Sequence, residues 1–308
     1  MCTIVAKYLK DKGWVLAKNR DQDYVSKTQF KDIIHNTVGE ILVMYDDDIS
    51  YQEGMNYYGK MAIITTSLTP QLSLETNKKD GDNIYKALQM KSQEDAANFL
   101  IKQKMTGFIF IATPKKLILI EAARLNDGIG DYKFKLKVIP PNNIIVRTNH
   151  GIELPWAGFQ YGINENQDVW RKSSEMRMSM GEKLIKNSNT PEEMMNALAT
   201  RVEKDLQMNI FRVENKPRQM RTIFQWAIVP SDNIAYVRPI QARMKVKVSR
   251  DKLRIEVLDN EIIKKIYDGR IKHFCRIKYL PGDETIQTIQ TENYLLYDDY
   301  INEKIVDI

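Results

Sequence analysis

MCTIVAKYLKDKGWVLAKNRDQDY, residues 1–24, decides how the rest of the chain is read. TIVAKYL (3–9) and GWVLAKN (13–19) are rich in β-branched and aromatic residues, and Asp11-Lys12-Gly13 between them carries turn chemistry. That pattern predicts a β-hairpin at the very start of the chain. A strand beginning at Thr3 would hold Cys2 in place rather than leave it to fray. If Met1 is excised, Cys2 carries a thiol and a free α-amine on one residue. An α-amine of reference pKa about 7.7–8.0 is partly neutral at working pH. It can take the thiol proton directly or through a water. By position alone, Cys2 is an incidental small residue at a chain start. Against that stands the cluster Lys18-Asn19-Arg20-Asp21, which the hairpin returns toward Cys2. Asp21 suits orientation of the amine, and Lys18 or Arg20 would favour a thiolate. The competing reading of the cluster is a solvated turn.

Outward from the hairpin, EILVMYD (40–46) reads as a strand and MAIITTSL (61–68) as a strand buried on both faces. Residues 70–82 are polar and punctuated, which predicts a loop. NIYKALQM and SQEDAANFLIKQK read as helices, with Ser92 and Asp95 at capping-box spacing. GFIFIA (107–112) and KLILIEA (116–122) flank Thr113-Pro114-Lys115 and predict a second hairpin. YKFKLKVI (132–139) alternates, and NNIIVRTNH (142–150) follows Pro140-Pro141. Residues 173–187 read as a helix, and Thr190-Pro191-Glu192-Glu193 opens another. Three strands are expected at 221–230, 233–240 and 242–249. The tail, 251–308, mixes a short helix (NEIIKKIYD), the strand-like KHFCRIKYL and an acidic end. Strands, helices, strands, helices, strands is an α+β order rather than a βαβ alternation.

With 308 residues, 43% of them hydrophobic, the chain can bury a sizeable core, so Cys2 and Cys275 are not needed as staples. No apolar run approaches the ~20 residues of a spanning helix, and the start is too short for a secretory h-region. A cytoplasmic location without a membrane partner is expected. The net charge of +6 is mixed in sign, 46 basic against 40 acidic residues, which is weak support for nucleic-acid binding. In ARMKVKVSRDKLR (242–254), Lys245 and Lys247 share one strand face, which reads as an edge guarded by charge. No His/Cys/Asp/Glu spacing resembles a metal site, and Asp46-Asp47-Asp48 reads as a solvated turn. No phosphate-binding glycine motif is present. Neither metal nor cofactor is expected.

Met1-Cys2-Thr3 followed by Ala17-Lys18-Asn19-Arg20-Asp21 resembles the N-terminal-nucleophile hydrolases of the choloylglycine hydrolase and penicillin V acylase type, with the related acyl-coenzyme A:penicillin acyltransferases. Four later segments match in order. Glu53-Gly54-Met55-Asn56 resembles the family's Asp-Gly-Met-Asn turn before a buried strand. GFIFIATPKKLILIEA, ending in Glu121 and Ala122, resembles its paired strands. IIVRTNHG resembles its Thr-Asn segment, and Ser173-Ser174-Glu175-Met176-Arg177 resembles its Ser-x-x-Arg. The likeness covers roughly residues 1–240. It implies a four-layer αββα sandwich over 2–250, with a C-terminal extension, 251–308, packed on the same domain. It also implies site roles. Cys2 is the nucleophile and Asp21 holds its amine. Lys18 stands where the family has Arg. Thr66 occupies an oxyanion or substrate position, Asn149 faces the oxyanion, and Arg177 lies close to the nucleophile. Asn56, His150, Trp156 and Phe159 are carried over as substrate contacts, a structural His150 and ordinary core packing being the competing readings. The implied activity is cleavage of a linear amide of a small N-acyl compound through an acyl-enzyme on Cys2. The alternatives are acyl transfer to an amine, or a binding protein on the same scaffold with catalysis lost. A homo-oligomer is compatible with either.

Overall fold

The computed structural model describes residues 2–22, 27–35, 37–46, 50–68, 74–125, 130–201, 208–212, 220–240, 243–247, 254–258, 277–280 and 286–291. The elements in chain order begin with strands β1 (Cys2–Leu9), β2 (Gly13–Gln22), β3 (Lys27–His35), β4 (Gly39–Asp46), β5 (Ser50–Asn56) and β6 (Met61–Thr66). Helices α1 (Leu74–Leu88) and α2 (Gln93–Lys102) follow, then β7 (Gly107–Ala112), β8 (Leu117–Arg124), β9 (Tyr132–Ile139) and β10 (Ile144–Arg147). Helices α3 (Glu165–Ile185) and α4 (Pro191–Leu198) precede β11 (Arg221–Val229), β12 (Ile234–Pro239), β13 (Arg243–Lys247), β14 (Arg254–Val257), β15 (Ile277–Leu280) and β16 (Ile286–Thr291).

The strands form two sheets. One is ordered β10-β1-β2-β11-β12-β14, the other β15-β16-β13-β3-β4-β5-β6-β7-β8-β9. Side-chain alternation builds three cores from them. Ile4, Ala6, Trp14 and Leu16 meet Leu42, Met44, Ile64 and Phe110 between the sheets. Val5, Val15 and Ala17, one residue out of phase, pack against Met180 and Ile185 of α3 and Met194 and Leu198 of α4. Ile41, Val43 and Ile63 pack against Ile84, Ala87 and Leu100 of α1 and α2. The layers are therefore helix, sheet, sheet, helix, the αββα sandwich expected from the sequence. β14 pairs in parallel with β12, and β15–β16 extend the larger sheet through β13. The described strands of 251–308 thus belong to these same two sheets.

Both predicted helix starts have their caps. Ser92 Oγ accepts from Asp95 N at 3.0 Å, and Thr190 Oγ1 accepts from Glu193 N at 3.1 Å with Pro191 in the first turn. Two expectations need correction, and one strand was not anticipated. Residues 74–82 are helical: α1 starts at Leu74 and runs through Gly81, because its apolar face on β5 and β6 outweighs local propensity. β3 is a strand although its KTQFKDIIH pattern is weak, held by pairing with β4 and β13. β13 is no edge, since it lies between β3 and β16. The expected helix at 260–268, His273 and Cys275 lie outside the described residues.

One end of the sandwich is closed by two hairpin turns. Gly13, at φ +71°, sits against the β7–β8 turn, where Trp14 N donates to Pro114 O at 3.1 Å. A Cβ at Gly13 would lie 2.0 Å from that carbonyl oxygen. Cys2, at the far end of β1, belongs to the opposite end.

Candidate active site

Strand direction gathers the site. β1 begins at Cys2, antiparallel β2 ends beside it, and antiparallel β10 delivers Thr148, Asn149 and His150 to the same end. The register pairs Cys2 with Arg20, so Asp21 lies one residue beyond, level with the α-nitrogen of Cys2. β6 ends at Thr66, which pairs with Phe108 at the start of β7, again at this end.

Alternation then sorts the side chains by layer. Cys2, Lys18 and Arg20 share the face of Ile4 and Leu16, toward the other sheet, whereas Thr3, Asn19 and Asp21 face α3 and α4. The half-buried Cys2 thiol is free. Lys18 Nζ donates to Glu53 Oε2 at 2.9 Å and to Thr65 O at 2.8 Å. Both partners of this ion pair are buried, and Glu53 Oε1 accepts no hydrogen bond among the described residues. Arg20 Nη1 lies 3.8 Å from Met44 Sδ, with its guanidinium 5.7 Å from the Phe224 ring centroid.

On the helix side, Asp21 Oδ1 accepts from Thr222 Oγ1 at 2.8 Å, and Asp21 Oδ2 is ion-paired with Arg212 Nη1 at 3.7 Å. The β2–β11 register shifts between Thr222 and Phe224, an irregularity that lies beside Arg20 and Asp21. Arg212 Nη2 also donates to Ser173 Oγ at 2.6 Å.

Arg177 ties the two sides together. One face of α3 buries Ser173, Ser174, Arg177, Met180 and Gly181, a 3–4 spacing that turns Arg177 onto β1. Its Nη1 donates to Cys2 O at 3.1 Å and to Thr3 Oγ1 at 3.0 Å, and its Nη2 donates to Asn149 Oδ1 at 3.1 Å. Burial pushes the guanidinium down to about 9. The Arg212 charge adds to that, and Asp21 and Cys2 oppose it. Asn149 Nδ2 in turn donates to Thr66 Oγ1 at 3.3 Å and to Ser67 O at 2.9 Å. The chain Cys2–Arg177–Asn149–Thr66 therefore links the helix layer, the first strand and the second sheet.

His150 is buried. Its Nδ1 lies 2.8 Å from Ser174 Oγ and 3.2 Å from Thr148 Oγ1. Burial, followed by the Arg171 charge, pushes it down to about 4, so it is neutral at physiological pH. Phe159 is buried against Trp170 with ring centroids 5.5 Å apart, and its N donates to Asn149 O at 3.0 Å. Trp156 is partly exposed, in the loop after His150. That loop is held by Glu121, whose carboxylate accepts from Ile152, Glu153 and Leu154 N at 2.8, 2.9 and 2.9 Å.

The structure thus brings Cys2, Lys18, Asp21, Thr66, Asn149, Arg177, His150 and Phe159 to one end of the sandwich. It does not bring Asn56 there. Asn56 Nδ2 donates to Leu88 O at 2.7 Å and its Oδ1 accepts from Met61 N at 3.2 Å. Asn56 therefore closes the C-terminus of α1 and the β5–β6 turn. Sequence reasoning missed Arg212 and the pairing role of Glu53. For Glu53 a signal existed: a carboxylate two residues before Met55, on the face that enters the core between the sheets. For Arg212 there was none, since it contacts Asp21 from 191 residues away. Among the described residues no group of three or more His, Cys, Asp or Glu could hold a metal ion, and no helix is long and apolar enough to cross a membrane.

No protein-family model matches the chain, and no curated protein matches it in sequence. Two solved structures of variants of a conjugated bile acid hydrolase from Clostridium perfringens are similar in extent. One is 12% identical, covering 96% of this chain and 97% of that one, with a TM-score of 0.43. The other is 14% identical, covering 96% and 98%, with a TM-score of 0.43. At these values the likeness carries no functional weight, and the side chains must.

Proposed function

We propose that the chain is a cysteine N-terminal-nucleophile amidohydrolase that cleaves the linear amide of a small N-acyl compound. The observation that carries this reading is the Arg177 fork, which holds the backbone of Cys2 and the side chain of Asn149 together at 3.1 Å each. A buried, two-armed cation between a strand-initial cysteine and an amide side chain is a costly arrangement. It has an obvious use where negative charge develops beside sulfur.

The mechanism requires removal of whatever precedes Cys2. The freed α-amine, level with Asp21, accepts the thiol proton as sulfur adds to the substrate carbonyl. The tetrahedral oxyanion is stabilised by Asn149 Nδ2, which exchanges its 3.3 Å contact with Thr66 Oγ1 for the stronger acceptor. The α-ammonium then protonates the departing amine, leaving a thioester on Cys2. Water, deprotonated by the same amine, adds to the thioester and releases the acid and the thiol. Arg177 and Lys18 set the local potential, Asp21 orients the amine, and Thr222 with Arg212 fixes Asp21. Phe159, with the partly exposed Trp156, offers an apolar wall for the acyl group.

The test is trapping of the acyl-enzyme. Incubation with a panel of activated acyl esters and N-acyl amides, acid quenching and peptide mass mapping should place a thioester adduct on Cys2. Adduct formation should vanish in Cys2→Ala. Added amine nucleophiles should leave the product as free acid if hydrolysis is the activity. Conversion to the new amide would instead favour acyl transfer. No adduct with any acyl donor would overturn the reading.

A further inference from the structure

The apolar core of the larger sheet stops one strand short of its edge. β9 ends that sheet and, among the described residues, pairs with β8 alone. Its sequence, YKFKLKVI, alternates, so its two faces differ. Phe134, Leu136 and Val138 are in register with Ala122, Ile120 and Ile118 of β8 and share their face. Those β8 residues are buried with Ala97 and Leu100 of α2, whereas Phe134, Leu136 and Val138 are 44%, 41% and 55% exposed. Lys133, Lys135 and Lys137 are in register with Ala123, Glu121 and Leu119, on the opposite face, which borders the core between the sheets. All three lysines are exposed. Lys137 Nζ pairs with Glu153 at 2.6 Å, and Glu121, in register with Lys135, is occupied by three loop N–H groups. Lys133 and Lys135 make no ion pair among the described residues. Arg147, on the end strand of the smaller sheet, adds a further positive charge near Glu153.

We propose that the open edge of β9 accepts, as an added strand, an extended segment of a partner protein in which acidic and apolar residues alternate. An added strand hydrogen-bonds to the backbone of an end strand and sends alternate side chains to the two faces of the sheet. A single strand therefore contacts both rows of β9, although they lie on opposite faces. Its apolar residues would continue the row of Phe134, Leu136 and Val138 and cover it. Its carboxylates would lie beside Lys133, Lys135 and Lys137, where opposite charges stabilise and like charges repel. Lysines on an end strand also guard it against strands of its own kind. A second copy paired about a two-fold axis perpendicular to the sheet sets lysines against lysines. Paired about an axis along the strand, it sets lysines beside the apolar row. The charge of β9 thus selects an acidic partner over a second copy. This docking draws on no chemistry of Cys2.

The test is fluorescence anisotropy of a capped, labelled peptide of alternating Glu and Val, as long as the 8 residues of β9, titrated with the full chain. Two controls are a peptide of alternating Lys and Val, and one with the same Glu and Val residues in block order. The alternating acidic peptide should bind about tenfold more tightly than either control, through its opposed charge pairs and its matched apolar row. Its binding should slow hydrogen exchange of the β9 amides. Lys135→Glu should lose the preference for the acidic peptide, and Phe134→Ser/Val138→Ser should weaken binding about tenfold at an unchanged melting temperature. Cys2→Ala should bind as well as the parent, which separates docking from the catalytic reading. Absence of binding, equal binding of the block-order peptide, or unchanged exchange in β9 overturns the proposal. So does a stable dimer in light scattering that the double variant dissociates, which would make the edge a self-interface.

Discussion

Arg177 is the residue on which the site hinges, because a single planar fork reaches the Cys2 carbonyl, the Thr3 hydroxyl and Asn149. Lysine keeps the charge but cannot make that geometry. Arg177→Lys is expected to slow acylation of Cys2 by about 10²-fold, with the circular dichroism spectrum retained. Stopped-flow release from an activated ester measures it. His150 gives a pH-dependent test. Its native pKa, about 4, lies below the ordinary histidine value, so the native state prefers it neutral. The stabilisation is full above about pH 6.5 and is lost as pH falls through about 4. At about 1.4 kcal/mol per tenfold in proton affinity, the loss approaches ~3 kcal/mol. Urea unfolding should show the parent losing that much relative to His150→Asn between neutral and acid pH. At this scale Cys2 and Asp21 stood out from the residues themselves, and Asn149 and Arg177 only through the family resemblance; the structure gathers the four at one end of the sandwich. Asn56 could not be placed, because its use as a backbone cap depends on where α1 ends. Arg212 was invisible because only the fold brings it to Asp21.

Among the elements, the β1–β2 hairpin was the most readable, since Gly13 must adopt φ +71° where its Cβ would meet the Pro114 carbonyl. Gly13→Ala is expected to cost about 2 kcal/mol or more, from left-handed backbone strain together with the steric conflict. Thermal melts would record it, and the acylation rate of the folded fraction should be unchanged, because the turn is at the end remote from Cys2. The caps at Ser92 and Thr190 were equally legible, being local chemistry. β3 and the first two turns of α1 were not. Their residues are chosen by partners across the sheet or beneath the helix, and a polar, mixed pattern such as KTQFKDIIH carries little of that information. The position of β13 inside its sheet was hidden for the same reason, since a parallel pairing with β3 spans more than 200 residues.

At the scale of the whole molecule, the two sheets are held by apolar packing and, among the described residues, by a buried charge pair, Lys18–Glu53, which spans the layer between them. Removing either partner leaves a charge stranded. Lys18→Met and Glu53→Leu should each destabilise by about 3–5 kcal/mol, and the double variant Lys18→Met/Glu53→Leu by much less. A double-mutant cycle in urea would resolve the coupling. The α+β class was legible because alternation and segment order survive in sequence, and the four-layer order only through the family resemblance; the joining of the described 251–308 strands to both sheets was not legible. The convergence of β1, β2, β6 and β10 at one end of the sandwich supports the central proposal, that Cys2 acts as a nucleophile with a free α-amine. The most direct measurement is the intact mass of the purified chain before and after brief thiol alkylation at neutral pH, with the adduct mapped by peptide. The account predicts a chain that begins at Cys2 and takes one fast adduct there, absent in Cys2→Ser. A chain whose Cys2 stays peptide-bonded to a preceding residue, or whose thiol reacts no faster than free cysteine, would contradict it.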